Sequence, residues 1–516
     1  MPLQLQSSAS ASVNPTATFL LTPLSVACLS GCGRGGDVES PRAAVVVRTS
    51  AVELSVVGPG HLVVEGRAIE CPPACKILVP AASSIRLRAR PTEGSKFSGW
   101  TEGCRGTDTQ CSVAAPARVV AQFFDVAARD PTWMEQVGIL GHGVSTEIAV
   151  DRSGQSLFLM ATTYSPVSWG KSRLTGAGQG DVLISSVSID GTRRWAKVIG
   201  GIDDDMGSDL AIAENGDVIA VVFLRGAAIV DGRSVPGPGV LVLRFRGSDG
   251  LLRSALRIPD DPVWPVRIAS SGESTFVLGS PRHGPSARLW KLDQNATGIV
   301  WTRDYNVGHL RVDGLGLQMA SGLGVVSIAG GHKGYNEIEI LSLNSASGDE
   351  SWRRSVKCSL GCSVSRLRIE SERTCAGGVF GGRLEYGQTK EAISVKPPKL
   401  AGFVGCWSKT GSVVEALRTD VPISDFVELE GHRVVSGIDL FDEEWRGVLC
   451  QVTRQGSCAW MTEFNYVRSI KAPYRLARCG IKSACIMGTF IGSLGIGGLS
   501  SYKTGDVFLG AFAVDE

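Results

Sequence analysis

Asp203-Asp-Asp-Met-Gly207 places three carboxylates in a row, and carboxylate oxygens are ligands for a hard cation such as calcium. The run lacks the alternating acidic positions and the distal Glu of a hand-type loop, so it reads as a solvated inter-strand turn. Asp442-Glu443-Glu444 beside Trp445 has the groups to hold a cation or a sugar, and reads more simply as a charged turn. Ser165 to Ser172, Ser-Pro-Val-Ser-Trp-Gly-Lys-Ser, ends like a phosphate loop. It lacks the first glycine and lies at a repeat junction, not between a strand and a helix. The histidines, His61, His142, His283, His309, His332 and His432, are scattered, with no HExxH and no close pair for zinc. No G-x-S-x-G elbow occurs. The sequence therefore predicts no catalytic residue, no metal ligand set and no cofactor.

The 14 cysteines mostly come in closely spaced pairs, which favours an oxidising compartment. Cys71–Cys75 and Cys104–Cys111 have spacings that suit zinc or a disulfide, and export favours the disulfide. Further along, spacing suggests Cys358–Cys362, Cys450–Cys458 and Cys479–Cys485 as local pairs, leaving Cys375 with Cys406. Eight cysteines allow many connectivities, so these pairings stay open. The charge balance, 52 basic against 50 acidic residues with no basic run, argues against nucleic acid as a partner.

These residues must be placed by some framework, and the chain divides readily. Phe19 to Gly31, FLLTPLSVACLSG, has the length of a signal h-region and is short for a membrane span. Leu29-Ser30-Gly31-Cys32 resembles the bacterial lipoprotein processing box. That resemblance implies a signal peptide over 1–31, lipid on Cys32, and anchorage in the outer membrane facing the periplasm or the surface. Residue 33 is Gly, so nothing resembles the inner-membrane retention signal. Residues 32–43 are a polar tether.

Residues 44–125 read as a small β domain. AVELSVVGPGHLVVEG alternates apolar and polar residues around Gly58-Pro59-Gly60, as a hairpin does. Cys71 and Cys75, the strand Ser84–Arg90, Phe97-Ser-Gly-Trp100, Cys104, Cys111 and the strand Arg118–Phe124 follow. In this order they resemble the divergent internalin-type B repeat of bacterial surface proteins. The resemblance implies a spacer or adhesive module without catalytic residues.

Residues 126–136 read as a linker, and 137–516 as repeats. Opening strands are placed at Val182–Ile189, Val240–Phe245, Arg288–Leu292, Glu337–Leu343, Gly402–Trp407, Gly447–Val452 and Val507–Val514. A turn glycine and then Trp follow at Gly191/Trp195, Gly298/Trp301, Gly348/Trp352 and Gly456/Trp460. A period of about 54 residues, four strands per period and almost no helical pattern are the mark of a β-propeller. Six units plus a split one predict seven blades, with 137–180 and 507–516 sharing the split blade. The expected fold class is all-β: a seven-bladed β-propeller preceded by a small disulfide-bearing β domain.

Leu174, Gly180, Asp181 and Val182 align with Leu499, Gly505, Asp506 and Val507 without a gap. These segments resemble the bacterial β-propeller repeat family of cell-surface proteins, in which G-x-x-L-T-x-A-G-x-x-D-V leads to a strand and then D-G-x-x-x-W. Leu343 to Trp352 is similar to repeats of pyrroloquinoline-quinone propellers, but their adjacent Cys-Cys pair is absent, so the Trp residues are taken as blade packing. The loops that depart furthest from the repeat are Arg225–Gly239, Gly381–Leu400 and Asp439–Arg446. The expectation is a binding or scaffold protein of the cell envelope, engaging an envelope protein or a cell-wall glycan through one loop-bearing face. The alternative is a propeller-fold polysaccharide lyase or glycoside hydrolase using face carboxylates.

Overall fold

The computed structural model describes residues 48–514 apart from 68, 72–73, 93–94, 105–107, 126–130, 140–145, 260–261, 282–286, 308–316, 332–335, 371, 387–391, 396–399, 442–443, 465–473 and 491–505. Cys32 and the apolar stretch before it lie outside the described residues.

Residues 49–125 form two four-stranded sheets packed face to face. The strand Ser84–Pro91 shows why: Ile85, Leu87 and Ala89 point inward while the arginines between them face water. These side chains share a core with Val52, Leu54, Leu62, Val119 and Trp100. The Trp100 indole N–H donates to the carbonyl of Asp108 at 2.7 Å, so the buried ring keeps its polar atom paired.

From Trp133 onward the described residues make seven antiparallel sheets of four or more strands, numbered 1 to 7 in the order of their first strands. Those first strands are Thr146–Val150, Met206–Ile212, Val263–Ser271, Gln318–Gly322, Cys362–Glu370, Ile423–Leu429 and Arg475–Arg478. Each touches the next, and the seventh touches the first, so the sheets close into a ring around a central axis. A separate apolar core fills each of the seven spaces between neighbouring sheets. That is why the middle strands carry long apolar runs instead of alternating: Gly239–Phe245 is buried at every position, on both faces. The fold is an all-β propeller.

The phase of the repeat differs from the sequence reading. The strands taken there as opening each unit are the third strands of their sheets. Trp195, Trp301 and Trp352 stand on fourth, outer strands. The split sheet is also divided differently. Sheet 7 takes three strands from the C-terminal end and one, Trp133–Ile139, from the other. Residues 133–136 are thus part of the closing strand and not of a linker, and 146–199 form a complete sheet of their own.

The D-G-x-x-x-W pattern has a physical cause that spans two repeats. Trp195 of sheet 1 donates its indole N–H to the carbonyl of Gly247 in sheet 2 at 2.8 Å and lies against the turn at Gly250. Gly250 has φ +71°, and a methyl there would sit 2.6 Å from the indole. Trp133 of the closing strand does the same for sheet 1, donating to the carbonyl of Ile189 at 2.8 Å beside Gly191. The Trp of one repeat therefore covers the glycine turn of the next and packs the sheets together.

Disulfides join Cys71–Cys75, Cys104–Cys111, Cys358–Cys362, Cys375–Cys406, Cys450–Cys458 and Cys479–Cys485. Cys375 and Cys406 face each other directly across two paired strands of sheet 5.

Candidate functional site

The first strands line the axis. There they contribute Glu147, Asp209, Arg267, Gln318, Arg366 with Arg368, Asp425 and Arg475, one or two polar residues from each sheet. A break in pairing register stands just before the axial charge in four of them, at Gly207/Asp209, Val263/Arg267, Val364/Arg366 and Ile423/Asp425. A bulge bends a strand and re-aims the side chain after it, which is how an inner strand turns a charge toward the axis.

These groups form one buried network. Glu147 is 1% exposed and holds three guanidinium groups: Arg475 at 2.9 Å, Arg366 at 3.2 Å and Arg267 at 3.5 Å. Asp425, fully buried, pairs with Arg368 at 2.9 Å and Arg366 at 3.7 Å, and accepts the Leu476 N–H of the next sheet at 3.0 Å. Asp209 accepts the Ile268 N–H of its next sheet at 3.0 Å in the same manner. Burial opposes the charge of Asp425, but Arg368, Arg366 and Arg475 pull its carboxyl below the ordinary range. Asp209 goes the other way: burial, then the charge of Glu147, pushes it up to about 6. The axial carboxylates are thus held by ion pairs and backbone ties and serve as struts.

The ends of the ring differ. In an antiparallel sheet the link between second and third strands leaves at the same end as the crossover to the next sheet. At that end three small hairpins stand out: Val167–Trp169 with Ser172–Leu174, Ala228–Val230 with Arg233–Val235, and Arg383–Tyr386 with Ala392–Ser394. The third extends sheet 4 at its outer edge through Val356, Lys357 and Cys358. Exposed apolar side chains accompany these segments: Tyr164, Ile202 and Ile229 around sheets 1 and 2, Leu360 and Leu400 around sheets 4 and 5. The opposite end carries tight turns, with Leu251, Val300, Leu323, Val414 and Ile481 exposed.

The opposite end also carries a carboxyl pair between sheets 5 and 6. Burial, opposed by Arg368 and aided by a hydrogen bond donated to Glu428, holds the Glu370 carboxyl up at about 7. Arg373 lies 3.0 Å from Glu428, and Arg433 binds Glu415 beside it. The folded state keeps the Glu370 proton that an unfolded chain releases near 4.5. The stability tied to this proton is therefore present at low pH and lost as pH rises through about 7. Glu370→Gln keeps a donor toward Glu428 and cannot ionise. It should stabilise the protein by about 1–3 kcal/mol at pH 8 and leave it nearly unchanged at pH 5. Urea unfolding at both pH values measures this, and no gain at pH 8 would mean that the pair does not share a proton.

The residues singled out from sequence fall in three places. Ser165 to Ser172 forms part of the first hairpin and not a strand-to-helix turn. Arg225–Gly239 and Gly381–Leu400 supply the second and third hairpins. Asp203 to Gly207 is the crossover from sheet 1 to sheet 2, and it is not simply a solvated turn: Asp205 is fully buried. His61 pairs with Glu70 at 2.9 Å, and the His432 Nδ1 lies 3.0 Å from the Gln451 amide. His142, His283, His309, His332, Asp442 and Glu443 lie outside the described residues, as do the side chains of Asp439 to Arg446. Among the described residues, no group of three or more His, Cys, Asp or Glu side chains converges as a metal cluster.

No family model matches the chain, and no curated protein matches it. Among solved structures it is similar to BamB from Moraxella catarrhalis, at 12% identity over 73% of this chain and 98% of that one, with a TM-score of 0.34. It is similar to the Dos1 propeller at 8% identity, over 75% and 98%, with a TM-score of 0.38. The RRP9 WD40 repeats give 11% identity, over 75% and 100%, with a TM-score of 0.42. The assignment to the propeller class rests on the closed ring of sheets itself.

Proposed function

We propose that this chain is an exported, lipid-anchored binding or scaffold protein of the bacterial envelope, held through Cys32 and engaging its partner with the hairpin-bearing end of the propeller. One observation carries the reading. Three small hairpins, one of them presenting exposed Ile229, gather at one end of a ring whose axial carboxylates are held by ion pairs. Apolar side chains on ordered backbone suit a protein surface. Tyr164 is the one aromatic among them, which favours an envelope protein over a cell-wall glycan. Six disulfides support an oxidising compartment. The internalin-like repeat adds a spacer between anchor and propeller. The second reading, a lyase or glycoside hydrolase, has the Glu370–Glu428 pair in its favour, two adjacent carboxyls of which Glu370 is held up at about 7.

Titrating purified protein against envelope proteins and cell-wall polysaccharides separates the two. The binding reading expects saturable association without product, weakened at least about tenfold when residues 228–235 are replaced by a two-residue turn. Turnover of a glycan that vanishes in Glu370→Gln would establish the enzyme instead.

A further inference from the structure

The crossover from sheet 1 to sheet 2 holds a second buried polar site that the axial network does not use. Asp181 opens the third strand of sheet 1 and is 3% exposed. Its Oδ2 accepts the Gly178 N–H at 3.4 Å, while its Oδ1 is buried without a hydrogen-bond partner. Asp205 is fully buried, accepting the Gly201 N–H at 2.5 Å and the Arg225 N–H at 2.8 Å. The two carboxylates face each other over Gly200. A methyl at Gly200 would overlap Asp181 Oδ1 and lie 3.0 Å from Asp205 Oδ2.

The surrounding backbone brings more oxygen. A methyl at Gly178 would run into the carbonyl oxygens of Gly201 and Asp203, so both carbonyls converge on the same glycine-rich segment. Asp203 and Asp204 add negative charge. The Arg225 guanidinium lies 3.9 Å from Asp204, at the margin of the group. Two buried carboxylates with an unpartnered oxygen between them are unfavourable unless a cation or a proton joins them. The potential ligands in these segments are carboxylate and carbonyl oxygens, without His or Cys, and that is the donor chemistry calcium takes.

We propose that Asp181 and Asp205, completed by backbone carbonyls of the Gly200–Asp203 crossover, bind a calcium-class divalent cation. The cation ties the glycine-rich loop of sheet 1 to the crossover that leads into sheet 2, and so fixes the segment that presents Ile202 at the hairpin end. The proposal stands independently of what that end binds.

Calcium titration of the full chain by calorimetry, with thermal unfolding in calcium and in chelator, tests it. The expected result is one calcium per chain at a Kd of about 10⁻⁴–10⁻³ M, with a melting temperature that rises in calcium. Asp181→Asn should weaken binding at least about tenfold and abolish the rise, because the site loses one of its two buried charges. Absence of calcium binding by the unaltered protein would overturn the proposal in favour of a shared proton. A folded Asp181→Asn protein that binds like its parent would overturn it too. Should that variant fail to fold, Tyr164→Phe locates the ion. Its ring lies beside Gly180 and its hydroxyl faces Asp204. Terbium bound at the site should lose most of its tyrosine-sensitised emission in Tyr164→Phe, and undiminished emission would place the ion elsewhere.

Discussion

Glu147→Ala should destabilise the protein by about 3–5 kcal/mol, the cost of leaving buried charge without its partner. Glu147 is the one carboxylate that touches three arginines of the axis, Arg267, Arg366 and Arg475, contributed by sheets 3, 5 and 7. Removing it leaves Asp209 and Asp425 facing four guanidinium groups in a site where water cannot enter freely. A loss of that size is a large part of the stability of an ordinary domain. Glu147→Gln retains hydrogen-bonding oxygen and shape but not charge, so it should fall between the parent and the alanine variant. Denaturant unfolding monitored by Trp fluorescence reads both. A Glu147→Ala protein as stable as its parent would mean that the axial charges are solvated and hold nothing.

Deleting residues 506–516 should abolish cooperative folding. The strand Asp506–Ala513 pairs with Ser483–Phe490 on one side and with Trp133–Ile139 on the other, so it is the link through which the two ends of the chain close the ring. Val507, Phe508, Leu509 and Phe512 are all buried, and each contributes about 1.5–3 kcal/mol. Their sum approaches the whole stability of a domain. The deletion also uncovers an inner strand edge, a template for aggregation. Size-exclusion chromatography and calorimetry should show aggregates or a broad, non-cooperative transition. A soluble monomer with an unchanged melting transition would show that the ring closes without this strand.

The propeller was legible because each repeat needs a glycine turn and an apolar third strand buried on both faces, and both features survive in the sequence. The phase was not legible. The third strand carries a long apolar run and draws attention as a beginning, whereas the first strand is interrupted by a polar or charged residue. That interruption is itself a repeated signal: Thr-Glu-Ile-Ala at 146, Ser-Asp-Leu-Ala at 208, Val-Arg-Ile-Ala at 266, Leu-Gln-Met-Ala at 317 and Tyr-Arg-Leu-Ala at 474. Each places one polar residue before an apolar one near the start of a sheet. Read together they mark the axis, but singly they look like surface charges on short strands. Trp133 was the overlooked sign of the closing strand. Its partner glycine, Gly191, belongs to another repeat, so no local pattern connects them. Asp181 is a comparable case. The sequence marks it as part of a repeat motif, and only the meeting of two loops shows that it faces Asp205.

The hairpin end as the binding surface is tested most directly by photo-cross-linking in cells that make the full protein. A photoreactive amino acid at Ile229 on the hairpin end, or at Leu323 on the opposite end, reports what each surface touches; both side chains are exposed, at 71% and 63%. A discrete protein adduct is expected from position 229 and none from position 323. An adduct formed only from position 323 would contradict it and move the binding surface to the end that carries Glu370 and Glu428.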